Sequence, residues 1–192
     1  MLNIFMFFLY IRVLITLSLL ITFKAMAYEE ASYSIVYQNT VYEIRNYSER
    51  LAVQVNDINQ NGAFRKLFNY ISGSNTDSIK ISMTIPATQS SENGSKVMQF
   101  FLPSKFTKKD APSPLDKELK LKIIEQGYYA VINYSGRLTD VNFNKHRKIL
   151  KDNLLKDNIE IIRSAIRATY NAPFTLPFLR RNEVMFRVVW KD

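Results

Sequence analysis

YEIRNYSERLAVQVNDINQNGAFRKLFNYISGSN, residues 42–75, changes period once along its length. Tyr42–Tyr47 alternates apolar and polar residues and reads as a strand, with the apolar run Leu51–Val55 as its partner. From Gly62 to Ile71 the spacing becomes helical, with Phe64, Leu67, Phe68 and Ile71 on one stripe. Ser72-Gly73-Ser74-Asn75 ends the helix, Gly73 supplying the cap. Downstream, Lys80–Ile85 alternates with Ile81, Met83 and Ile85 on one face, and Val97–Leu102 forms a further run. Pro86 and Pro103 close these two runs.

After a polar linker, Ser104–Asp116, the same order returns. Lys120–Glu125 reads as a strand, Gly127 turns the chain, and Tyr128–Tyr134 comes back. Leu138–Lys156 has helical spacing, with Phe143, Leu150 and Leu154 on one side, and Ser164–Tyr170 and Glu183–Trp190 read as strands. Tyr33–Gln38 adds a strand before the first half. The expected fold is α+β: two ββαββ-like halves whose eight or nine strands form a closed or nearly closed antiparallel sheet, flanked by two helices. Such a sheet leaves grooves between helix and strands, or between halves, where a small molecule sits.

The N-terminus reads as a separate segment. Val13–Phe23 is an apolar h-region, and Lys24-Ala25-Met26-Ala27 places small residues where signal peptidase cuts. Residues 1–27 are therefore expected to be a signal peptide, or a membrane anchor if uncleaved, with one domain over residues 28–192 outside the cytoplasm, periplasmic or secreted. The full chain carries a net charge of +9 from 26 basic and 17 acidic residues. Loss of Arg12 and Lys24 leaves +7. Export and the scattering of the basic residues speak against nucleic acid as the partner and for a small ligand held by a monomer. The absence of cysteine excludes disulfides, thiolate metal sites and cysteine nucleophiles.

Several blocks together resemble the SOUL haem-binding family. They are Tyr42–Tyr47, Phe64–Ile71 followed by Gly73, Lys80-Ile81-Ser82-Met83-Thr84-Ile85-Pro86, Phe101-Leu102-Pro103-Ser104 with Pro112–Leu115, Tyr170-Asn171-Ala172-Pro173, and Arg180-Arg181-Asn182-Glu183-Val184. They run in the family's order over residues 33–189. The resemblance implies a distorted antiparallel barrel with two flanking helices. It also implies non-covalent binding of haem or another tetrapyrrole in a shallow apolar groove beside the first helix, near the loop before the last strand.

A haem needs apolar walls and cations for its propionates. Phe64 and Phe68 share a helix face, with Arg65 as the helix's own cation. Phe174, Leu176 and Phe178 interleave with Pro173 and Pro177 in an apolar loop closed by Arg180 and Arg181. Arg180 and Arg181 have a structural alternative, pairing with a carboxylate such as Glu183. Where some members of the family carry histidine after the arginine of the opening strand, this chain has Asn46. Its one histidine, His146, is a packing residue of the second helix before it is an iron ligand. Binding is thus expected to rest on burial, with weak or no axial ligation. Two other readings stand beside it: a barrel for a different apolar anion, and a carboxylate-based enzyme using Glu43 and Glu125. The exposure of Phe64, Phe68 and Phe174 separates a core role from a ligand role.

Overall fold

The computed structural model describes residues 28–56, 60–92 and 94–191, so the expected signal segment lies outside the described residues. The alternating runs become β1 (Glu29–Glu30), β2 (Tyr33–Gln38), β3 (Glu43–Tyr47) and β4 (Arg50–Asn56). Helix α1 (Gln60–Ile71) follows, then β5 (Thr84–Ile85), β6 (Ala87–Glu92) and β7 (Ser95–Phe101). The second half supplies β8 (Leu119–Ile124), β9 (Gly127–Tyr134), α2 (Asp140–Lys156), β10 (Ile166–Thr169) and β11 (Asn182–Val188).

Nine strands make one sheet in the order β2-β3-β9-β11-β10-β6-β7-β4-β8. Every ladder in it is antiparallel. Setting aside β2, the order is symmetric about the β10–β6 contact. Each half keeps its last three strands together and gives its first strand to the other half: β3 pairs β9, and β8 pairs β4. The expected hairpin of residues 42–55 is therefore not formed, because β3 and β4 share no ladder.

This exchange forces curvature. Ser48 and Glu49 alone separate β3 from β4, so Tyr47 and Arg50 stand at most about 11 Å apart. Six strand spacings divide the two strands in the sheet, roughly 29 Å if it were flat. The same holds for β8 and β9, joined by Glu125 and Gln126. The sheet must curl until its ends meet at these two corners. The end strands β2 and β8 do not pair, so the result is a curled half-barrel.

The two faces divide cleanly. On the convex face, Leu51, Val53, Val55 and Phe100 pack under Ala63, Leu67, Tyr70 and Ile71 of α1. Ile44, Ala130, Ile132, Val184 and Phe186 pack under Leu150 and Leu154 of α2. Inside the curl, Tyr47, Tyr129, Val131, Ala168, Tyr170 and Met185 form a third cluster. The buried row of α1 thus includes Ala63 and Tyr70, while Phe64 and Phe68 of the expected stripe turn outward. Gly73, at φ +121°, caps α1 as expected, with Ser74 N–H donating to Asn69 O at 3.0 Å.

Lys80–Met83, expected as strand, is irregular because Ile81 N–H is spent on Ile71 O, at the end of α1 (2.8 Å). Only Thr84–Ile85 pairs, in parallel with β1. The polar strand β6 goes unsuspected in the sequence.

Candidate functional site

Two surfaces concern ligand binding: the interior of the curl and the outer face of α1 with the loop before β11.

Alternation along β3 and β11 sends Arg45, Tyr47 and Glu183 inward. Glu183 is fully buried. It accepts from Arg45 at 2.9 and 3.0 Å, from Tyr170 Oη at 2.7 Å, and from Arg181 Nε and Nη2 at 3.0 and 2.9 Å. Arg181 also forks onto Glu30 at 3.0 and 2.8 Å and lies 3.7 Å over the Tyr170 ring. Arg45 pairs with Glu43 as well and stacks 4.2 Å over Tyr33. Burial, reinforced by the charge of Glu183, pushes the Tyr170 hydroxyl well above its ordinary range, so it stays a donor. Two arginines face three carboxylates in this network, and every carboxylate is engaged.

The outer face of α1 is different. The Phe64 and Phe68 rings stack at 6.2 Å with 11° between planes, and Phe64 meets Phe100 edge-on at 5.3 Å. They are 42% and 49% exposed. Phe64 anchors on Phe100, and the pair offers apolar surface to solvent. Arg65 beside them is exposed. Lys66 pairs with Glu118 at 2.6 Å. The only tyrosine of the helix, Tyr70, is buried and donates to Pro112 O at 2.8 Å, and burial pushes its pKa up to about 12.

The loop between β10 and β11 carries Phe174, Leu176 and Phe178 into solvent at 89%, 55% and 71% exposure. Pro177–Leu179 forms a single 3-10 turn, tied to the β9–α2 turn by Gly136 N–H donating to Pro177 O at 2.8 Å. Arg180 holds the loop's shape by donating to Thr175 O at 2.8 Å and Pro173 O at 2.5 Å. The structure brings Phe64 and Phe68 together, and the loop residues together around Arg180. It places Arg181 in the Glu183 network, the structural role foreseen for it.

His146 stacks on Tyr134 at 4.2 Å, and its Nδ1 lies 2.8 Å from Asn142 O on α2. It belongs to the packing of α2. Glu43 and Glu125 do not meet: β3 pairs Glu43 with Val131 and Tyr47 with Gly127, so they flank opposite ends of one ladder, roughly 13 Å long. Among the described residues, no group of three or more His, Asp and Glu side chains is placed to hold a metal ion.

Beyond the pairing of an arginine with Glu183, the network was not legible in the sequence. Its members alternate with buried apolar residues along β3 and β11, a pattern that reads as a solvent face until the sheet is known to curl.

The fold and these apolar faces define a small curled-sheet protein with exposed aromatic surface on α1 and on the loop before β11. The model of the SOUL heme-binding protein family matches residues 28–187, and the chain belongs to that family. No curated protein matches the chain. Among solved structures, the C-terminal domain of EcmrR aligns with TM-score 0.57 at 12% identity, over 81% of this chain and 99% of that one. An uncharacterized conserved protein from Listeria innocua aligns with TM-score 0.60 at 10% identity, over 78% and 92% of the two chains. A hydrolase from the same organism aligns with TM-score 0.58 at 10% identity, over 80% and 94%. At these identities the likeness is one of fold alone.

Proposed function

We propose that this chain is an exported carrier of haem or another tetrapyrrole, non-catalytic, which lays its ligand flat on the outer face of α1. The stacked, half-exposed pair Phe64 and Phe68 carries this reading. Two nearly parallel rings on rigid helical backbone offer apolar contact to a porphyrin, and exposed aromatic surface of this kind marks a binding face. Arg65 supplies a cation for a propionate, and the exposed side chains of the Phe174–Phe178 loop supply further apolar surface. Arg180 contributes to the ligand through the loop it holds. Binding rests on contact area: α1 has no histidine, cysteine or methionine, and its one tyrosine is committed to Pro112. Bound haem would supply its own chemistry; the protein's part is to hold and shield it. Export rests on the signal-like residues 13–27.

Haem titration of the full chain tests this. A saturable shift of the Soret band is expected. Phe64→Ser with Phe68→Ser should weaken binding by about tenfold or more, from the lost ring contacts, while the melting temperature changes little. Unsaturable binding, equal binding by the double variant, or equal affinity for an unrelated apolar anion overturns the proposal.

A further inference from the structure

Arg50, inside the curl, is a cation that the Glu183 network does not use. Arg50 opens β4 and points inward, because Leu51, Val53 and Val55 take the convex face. Its guanidinium lies 4.2 Å over the Tyr47 ring, 4.4 Å over Phe101 and 5.8 Å from the Tyr129 centroid. No carboxylate among the described residues forms an ion pair with it. Its Nε is buried and makes no hydrogen bond. The contrast with Arg45 and Arg181, each paired twice, is sharp.

Space surrounds this group. A cavity of about 30 Å³ lies against Arg50, Tyr47, Phe101, Tyr129 and Gln99. It shares Gln99, Ile124, Tyr129 and Ile166 with a groove of about 160 Å³, also lined by Lys122, Arg163, Arg187 and Glu125, the last 3.9 Å from Arg187. It shares Arg50 and Phe101 with a cleft of about 500 Å³, where Glu29, Glu30 and Glu49 stand. By net charge the groove is the basic mouth of the cavity and the cleft the acidic one. Gln99 is held by a ladder of amides, its Nε2 donating to Gln54 Oε1 at 2.8 Å and Gln54 Nε2 to Asn56 Oδ1 at 3.0 Å.

A guanidinium taken out of water without an anion is costly, and aromatic faces offset only part of that cost. Burial pulls the Arg50 pKa downward, yet arginine keeps its charge. The Tyr129 hydroxyl is a side-chain hydrogen-bond partner of this guanidinium, but its Nε lacks an acceptor and no carboxylate of the described residues is paired with it. We propose that the interior of the curl is a second ligand site, for a small carboxylate with a flat apolar body. Its carboxylate enters by the basic mouth and meets Arg50, and its body lies in the groove against Tyr129, Ile124 and Ile166. The cavity at Arg50 admits a group of carboxylate size, and a porphyrin is far too large for it. The site is separate from the α1 face and does not rest on haem binding there.

Benzoate, with benzamide as its uncharged counterpart, tests the site by calorimetry on the full chain. Benzoate should saturate one site, and benzamide should bind about tenfold weaker or worse, since it lacks the charge-assisted bond. Arg50→Gln should lose about as much. Phe64→Ser with Phe68→Ser should bind benzoate as the parent does, which separates this site from the haem face. In the unsubstituted chain, benzoate should shift the ring resonances of Tyr47, Phe101 and Tyr129, a measurement independent of whether any variant folds. Absence of saturation, equal affinity for benzamide, unchanged binding by folded Arg50→Gln, or unmoved ring resonances overturns the proposal.

Discussion

Glu183 and Phe64 show how differently two side chains serve the molecule. Glu183 sits with no exposure and accepts from Arg45, Arg181 and Tyr170. Its charge is what makes Arg45 tolerable, since Arg45 is itself only 3% exposed. Glu183→Gln leaves that guanidinium with Glu43 alone and should cost about 3–5 kcal/mol, read from the urea midpoint with an unchanged slope. Arg45 and Glu183 replaced together by apolar residues should cost less than Glu183→Gln, because the buried guanidinium is then gone and Arg181 keeps Glu30. Phe64 stands at the other extreme. Nearly half of it faces water, so its loss changes stability little and its presence must be sought in binding. Arg180 and Arg181 are adjacent in sequence yet do unlike work, one shaping its own loop through carbonyls, the other locking β11 to β1 through Glu30.

At the scale of elements, α2 is set by its N-terminus. Thr139 is extended, at φ −109° and ψ 155°, and its side chain accepts from Asn142 N–H at 3.2 Å. Asp140 in the first turn complements the helix dipole and pairs with Arg167 at 2.6 Å. Thr139→Ala should cost about 1 kcal/mol, measured by thermal unfolding, without disturbing the α1 face. These helices were readable from their period, and so were most strands. What escaped the sequence has physical causes. β6 is Ala87-Thr88-Gln89-Ser90-Ser91-Glu92, without one large apolar residue, and it is held by backbone ladders to β7 and β10. Phe64 and Phe68 fall on the helical stripe by spacing, but the smaller Ala63 is what the sheet admits. Strand pairing escaped for a deeper reason: a short turn between two strands suggests a hairpin, and only the curled sheet makes an exchange with the other half cheaper. Arg50 escaped with it, since a charged residue opening a strand reads as surface.

Across the whole molecule, the α1 face and the interior of the curl lie on opposite sides of one sheet. β4 and β7 separate them, with Phe100 supporting Phe64 outside and Phe101 lying beneath Arg50 inside. Consecutive residues of β7 thus serve two surfaces. The ladders that hold the curl, β3 with β9 and β4 with β8, join residues far apart in sequence. Folding must therefore close long loops before the sheet gains its ends, and slow, late consolidation of the Glu183 network follows. The connection between halves, by contrast, is expendable. Lys108 and Lys109 are exposed, and the link that contains them carries no strand of the sheet. A chain nicked between these lysines should stay folded as a two-piece assembly and separate only in denaturant; gel filtration before and after denaturation reads the outcome.

That result would have a historical meaning. Two like units that lend each other a first strand have the arrangement of a domain-swapped pair, with the linker as a later tether. An ancestor of half the length, assembling as a twofold pair, needs no new contacts to become this chain. Fusion frees the two copies to diverge, and they have: the first strand-opening position kept an inward arginine at Arg50, and its counterpart is Gly127.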